Sequence, residues 1–440
     1  MLRLLTVGLV AFVTGGCGRV HFQSVADASV AVPDAPAFAP DPGFGSNGVV
    51  VVDVGGVNNL GYSIHGIAVQ PDGKIDVGGD AGTTANSDML VARFLDDGTF
   101  DPAFGTGGLV TIDVFPTDGT RSVALQPDGK IIVAGGGGTA LPDSELVRLL
   151  PNGALDPTFG TASPGVTTIT FPGDRNSPNA SLVGVDGKIV FGGQAHSASQ
   201  GWDLVTARFD GAGALDPTFG NAGIVDIDLY NSDEFGSPAA MLPDGRIYLG
   251  ASTYLGAPSF AGAVVRLAID GTPDATFGSG GHALIQLAAR TVYSEGLVLD
   301  PQGRIVVVGV NGDSPATDAF VMRLLADGSP DPTFHGGSAV LVDLGGEELF
   351  MNALVLPDGR IVAAGRSNHR GNYDIMLAVL HDDGSFDTSV GAGGILEIDA
   401  VPGQDSQAWC LALDQSGRVL VLASTSAGSQ NDIVIMRLEP

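Results

Sequence analysis

The chain has 440 residues, 44% of them hydrophobic, with 66 glycines and only two cysteines; this is the composition of a folded protein, and it excludes extensive disorder and a disulfide framework. Its 20 basic residues against 49 acidic ones leave a formal net charge of -29, which repels phosphate backbones and anionic lipid and excludes nucleic acid as a partner class. Cations and basic surfaces stay open.

Taken in chain order, Arg3, an apolar run from Leu4 to Val13 and the ending Thr14-Gly15-Gly16-Cys17 have the layout of a secretory signal, too short to span a bilayer. The ending resembles a bacterial lipobox, with Thr14 where that pattern has Leu. Residues 1–17 are therefore expected to be a signal with lipidation at Cys17, and residues 18–40, rich in Ala, Val and Pro, a tether. A plain signal peptide is the alternative. The expected location is the cell envelope, as an outer-membrane lipoprotein or a secreted protein that meets the membrane through its lipid alone.

Residues 41–440 are a repeat array in which three signatures recur in fixed order. An Asp-Pro-x-Phe-Gly turn begins at Asp41, Asp101, Asp156 and Asp216, is weaker at Asp274 and Asp331, and has decayed at Asp387. A Pro-Asp-Gly-Lys/Arg turn before a β-branched run stands at Pro71, Pro127, Pro243 and Pro357, with variants at Val185, Pro301 and Gln415. An apolar strand ends near Arg93, Arg148, Arg208, Arg266, Arg323 and Arg437, with Val379 in the remaining copy. Seven copies of each signature mean seven units.

Each unit divides into four short apolar runs bounded by Gly, Asp and Pro, as in Leu109 to Asp113, Ser122 to Gln126, Lys130 to Ala134 and Glu145 to Leu150. Four strands per repeat predict an all-β fold, a seven-bladed β-propeller of four-stranded blades; an open β-solenoid of seven repeats is the alternative. The last unit stops after its third strand, and a spare strand lies at Val49 to Asp53. Pairing the two closes the ring and removes both open edges.

The Pro-Asp-Gly-Lys turn and the Leu-Asp-Pro-Thr-Phe-Gly segments at Leu155 to Gly160 and Leu215 to Gly220 resemble the delta-60 repeat family of bacterial surface and secreted proteins. That resemblance implies a β-propeller of unknown function and supplies no catalytic residues to carry over.

Thirteen of the 20 basic residues occupy two repeat positions, the residue after the Asp-Gly turn and the strand Arg, so they are expected to serve the scaffold. Asp-Gly suits tight hairpins because the acid caps the turn and the glycine tolerates positive φ. The ring of Phe44, Phe104, Phe159, Phe219, Phe277 and Phe334 is expected to plug crevices between blades. Asp88, Asp143, Asp203, Asp318 and Asp432 each precede the strand Arg by five residues. An odd separation puts the two on opposite faces of one strand, so salt bridges are expected between blades.

Strand alternation gathers the regular turns on one face of the ring and the irregular loops on the other, including Gln194 to Trp202, Leu229 to Gly236, Ala251 to Ala261 and Arg366 to Tyr373. Irregular loops on a rigid scaffold are the usual layout of a binding surface. A second irregular position, seven residues before the turn acid on the innermost strand, reads His65, Arg121, Asn179, Ser237, Glu295, Met351 and Trp409; it is the candidate channel-mouth site, or else a solvated strand start free to vary. The fourth-strand acids Asp53, Asp113, Asp228, Asp343 and Asp399 would suit calcium only if they converged, and separate outer strands keep them apart. No Asp-x-Asp-x-Asp-Gly loop, zinc spacing, nucleophile elbow or phosphate loop occurs. The expectation is a monomeric, cofactor-free, non-enzymatic module that binds a protein or glycan at the envelope. The alternative is a metal-assisted hydrolase or sugar dehydrogenase with Glu295, His65 and Asn179 near the channel.

Overall fold

A chain whose strands carry near-continuous apolar runs must bury both faces of each sheet. The computed structural model describes residues 38–52, 64–83, 86–137, 143–171, 173, 175–197, 201–256, 260–287, 290–427 and 430–440, with Val13–Thr14 and Arg19–Val20. Cys17 and most of the tether lie outside the described residues.

Seven antiparallel four-stranded blades follow one another. From innermost to outer strand they run Ile64–Val69 to Leu109–Ile112, Asp118–Leu125 to Val166–Ile169, Arg175–Val183 to Ile224–Ile227, Glu234–Met241 to His282–Ile285, Val292–Leu299 to Val340–Val342 and Glu348–Val355 to Ile395–Ile398. The seventh starts at Asp405–Leu413, and Val49–Val52 pairs with its third strand, Ile433 against Val52. The ring is closed by the N-terminal strand, as expected. Adjacent innermost strands pack side by side around the channel, the first against the seventh included. At Gly66 a Cβ would lie 2.5 Å from the Val123 main-chain nitrogen of the next blade, so the approach demands glycine there.

The core is seven separate seams, because each buried cluster draws on two neighbouring blades. The six motif phenylalanines sit in these seams, 0% or 1% exposed. Over each ring lies a guanidinium, from Arg93 at 4.1 Å above Phe104 to Arg266 at 4.9 Å above Phe277. Such cation–π contacts strengthen where water is excluded.

The strand arginine does not use the acid five residues before it. Arg148 Nε donates to Asp156 Oδ2 (2.8 Å) and Arg208 Nε to Asp216 Oδ2 (2.8 Å), each within one blade, because the Asp-Pro turn folds back over its own third strand. For these two the link between blades is to a carbonyl, Arg148 Nη1 reaching Gly211 and Arg208 Nη1 reaching Ile269 in the following blade. Arg323 and Arg437, by contrast, make the expected salt bridges between blades, to Asp382 (2.7 Å) and Asp96 (2.7 Å). In the first blade Arg93 instead pairs with the buried Asp76 (2.7 Å). The motif glycine adds a second tie. Gly105, at φ 51°, donates its N–H to the Asn152 carbonyl of the next blade (2.9 Å).

The sixth unit lacks both partners, having Val379 and Val390 in their places. Arg360 there pairs with Asp387 (3.1 Å). Phe38, 2% exposed, joins Val379 and Val390 in the buried cluster between the sixth and seventh blades. An N-terminal side chain thus supplies the aromatic that the sixth repeat has lost.

Candidate functional site

Hairpin topology puts the Pro-Asp-Gly and Asp-Pro turns on one face and the irregular connections on the other. Two groupings of side chains stand on the irregular face, and a third position rings the channel.

The channel position has a structural cause. Pairing between the first two strands shifts register in every blade, at Ile64/Gly66, Ala134/Gly135, Pro178/Ala180, Gly236/Ala239, Ser294/Gly296, Phe350/Asn352 and Ala408/Cys410. The residues skipped are His65, Arg121, Asn179, Ser237 with Pro238, Glu295, Met351 and Trp409. A bulge leaves its extra residue unpaired and re-aims its side chain. Arg121, Asn179, Glu295, Met351 and Trp409 are each partly exposed while the next residue is buried. These positions therefore lie within the strand, at a bulge, and not at its start. The side chains of His65 and Ser237 fall outside the described residues.

Among the described side chains the bulge positions do not assemble one constellation. Asn179 Nδ2 donates to the Gly236 carbonyl, Trp409 Nε1 donates to Ser424 Oγ (2.8 Å), and Arg121, Asn179, Glu295 and Met351 share no hydrogen bond. Burial raises the Glu295 carboxyl above its ordinary range, which favours its neutral form.

The first grouping on the irregular face is a strip of partly exposed rings crossing the third, fourth and fifth blades. Ring centroids are 5.2 Å apart for His196 and Trp202, 6.3 Å for Trp202 and Phe235, 5.6 Å for Phe235 and Phe260, and 5.2 Å for Phe260 and Tyr293. Tyr254 flanks Phe260 at 5.2 Å. Register builds the strip: His196 faces Trp202 across one hairpin and Tyr254 faces Phe260 across the equivalent hairpin of the next blade. Most of these rings fall in loops legible as irregular in the sequence; Tyr293 lies outside them, and no linear pattern signals the contact.

The second grouping is acidic. Asp203, Asp228 and Glu234 each bring a carboxylate oxygen within 4.8 Å of the others, as do Asp88, Asp113 and Asp118. Both sets join the third-strand acid, the outer-strand acid and an acid opening the next blade. Among the described outer-strand acids, Asp113 and Asp228 converge with acids of neighbouring strands. Burial foremost, then the charges of Asp226, Asp228 and Asp233, push Asp203 up to about 6. Burial likewise pushes Glu234 up to about 7, against the Thr253 hydroxyl.

Six segments, 70–104, 126–159, 186–219, 242–277, 301–334 and 356–389, match the family described as Domain of unknown function (DUF5122) beta-propeller. Each runs from a Pro-Asp-Gly turn region into the Asp-Pro turn. No curated protein matches the chain. Among solved structures, a protein of unknown function from Dyadobacter fermentans is similar at 15% identity and a TM-score of 0.48, over 91% of this chain and 100% of that one. A polysaccharide lyase, an ulvan lyase solved with a bound saccharide, is similar at 11% identity and a TM-score of 0.52, over 92% of this chain and 96% of that one. At such identities the likeness is one of fold.

Proposed function

We propose that this propeller is a glycan-binding module that holds saccharide on the aromatic strip of its irregular face. The observation that carries the reading is the continuous series Trp202, Phe235, Phe260 and Tyr293, partly exposed on a face where the scaffold itself needs no rings. Aromatic faces are electron-rich and flat, and they stack on the C–H face of a pyranose; rings held by strands lose little entropy on binding. A net charge of -29 repels polyanionic chains, so neutral glycans are the favoured class. Display on the cell envelope fits such a role.

Affinity electrophoresis through gels containing neutral polysaccharides tests the proposal. The protein is expected to be retarded by at least one of them, and Trp202→Ala combined with Phe260→Ala to run free with an unchanged melting temperature. Retardation that survives this double substitution refutes the placement. An enzyme acting on saccharide would use the same surface, and release of new chain ends on prolonged incubation separates turnover from binding.

A further inference from the structure

We propose that Asp203, Asp228 and Glu234 form a binding site for one divalent cation of the calcium type at the seam between the third and fourth blades. The site follows from topology. Asp203 lies in the third strand of its blade, Gly201–Phe209, and Asp228 directly follows the outer strand paired with it, Leu204 against Ile227. Glu234 opens the innermost strand of the next blade. Their oxygens lie within 4.8 Å of one another, the spread expected around an ion held at about 2.3–2.6 Å from each ligand.

A second observation points to a ligand. Asp203 is 4% exposed and Glu234 0% exposed, yet Asp203 Oδ1 and Glu234 Oε2 have no hydrogen-bond partner. The other Glu234 oxygen accepts from Thr253 Oγ1 (2.8 Å). Buried carboxylate oxygens left unsatisfied are strongly unfavourable unless something neutralises them.

Equivalent seams show what the chain does elsewhere. Between the fifth and sixth blades Arg290 Nη1 donates to Asp318 Oδ2, while Glu348 is occupied by Ser367 Oγ (3.0 Å) and the Gly346 N–H (3.1 Å). Near Asp374 the charges of Arg370 and His369 oppose the repulsion of Asp399. Between the first and second blades the Asp118 carboxylate accepts the N–H groups of Val114 (2.7 Å) and Phe115 (2.9 Å). At the seam between the third and fourth blades the cation acting on Asp203 is His196, against Asp226, Asp228 and Asp233. The seam between the first and second blades is equally short of positive charge, and Asp88 Oδ1 there also lacks a partner. What sets the seam between the third and fourth blades apart among the described residues is that two of its acids, Asp203 and Glu234, are buried with an oxygen unsatisfied.

The donor set is all oxygen, which selects a hard cation over zinc or copper. The three acids come from strands in two blades and do not impose octahedral geometry, so calcium suits them better than magnesium. Asp228 is exposed, which opens the site to the irregular face. The proposal does not depend on glycan binding, and either can fail without the other.

The test uses the full chain freed of metal with EDTA. Calorimetric titration with calcium chloride is expected to show one ion per chain and a higher melting temperature at millimolar calcium. Terbium is expected to luminesce in the same site through energy transfer from the adjacent Trp202. Asp203→Asn and Glu234→Gln are expected to melt no lower than the wild type in EDTA and to lose the calcium response, while Asp318→Asn keeps it. Calcium binding unaffected by Asp203→Asn and Glu234→Gln, or no binding by the folded wild type, overturns the proposal.

Discussion

The main-chain N–H of Trp202 donates to Asp233 Oδ1 (3.0 Å), tying the aromatic strip of the third blade to the connection that leads into the fourth. Strip and acidic seam therefore share one rigid corner of the irregular face. A saccharide stacked on Trp202 would lie beside the proposed cation.

Strip and channel can be separated by single changes. Trp202→Ala is expected to weaken retardation in polysaccharide gels at least tenfold. Trp409→Phe, which keeps an aromatic ring and removes the bond to Ser424 (2.8 Å), is expected to leave retardation intact at about 1 kcal/mol of stability. The opposite pattern would move the site to the channel.

The scaffold arginines predict a contrast in melting. Arg208 is buried against Asp216, the Ile269 carbonyl and the Phe219 ring, so Arg208→Ala leaves the buried Asp216 with Lys188 and Thr218 alone and is expected to cost about 3 kcal/mol. The Arg370 side chain is 58% exposed and pairs with Glu397; Arg370→Ala is expected to cost under about 1 kcal/mol. Equal denaturant midpoints would refute the assignment.

Phe38→Ala empties part of the seam between the sixth and seventh blades and is expected to cost about 3–5 kcal/mol. Val390→Phe restores the motif residue of the sixth repeat, so it is expected to recover part of that loss in the Phe38→Ala background. Urea melts of the single and double variants measure both effects. No recovery would show that Phe38 acts elsewhere.

Acid should loosen the ring in a defined range. Burial raises the Asp156 carboxyl, but the Thr158 hydrogen bonds and the charges of Arg148 and Lys130 outweigh it and hold it at about 2. Asp216, Asp274 and Asp331 are lowered in the same manner. A carboxylate depressed in the folded state adds stability that is present above its unfolded value, about 3.9, and is lost as pH falls toward the folded one. The melting temperature is expected to rise slightly from pH 7 to about 5, as the raised carboxyls of Glu234 and Asp203 take up protons, and then to fall steeply toward pH 2. Asp156→Asn is expected to start lower and show a shallower fall.

The count of units, their four strands, the closing strand and the split between regular and irregular faces were all legible in the sequence. They rest on turn chemistry, which is local: Asp-Gly and Asp-Pro specify a hairpin wherever they occur. The same locality misled the reading of charge. Opposite strand faces for Asp203 and Arg208 pointed to salt bridges between blades, but the turn beyond brought Asp216 of the same blade onto the guanidinium. Only the tertiary structure placed Phe38 in the seam left open by Val390, aligned Trp202 with Phe235 and Phe260, and set Glu234 beside Asp203 across a blade boundary. These contacts depend on register and on how neighbouring sheets pack, and residues in different blades carry no mark in a linear pattern of which of them will meet.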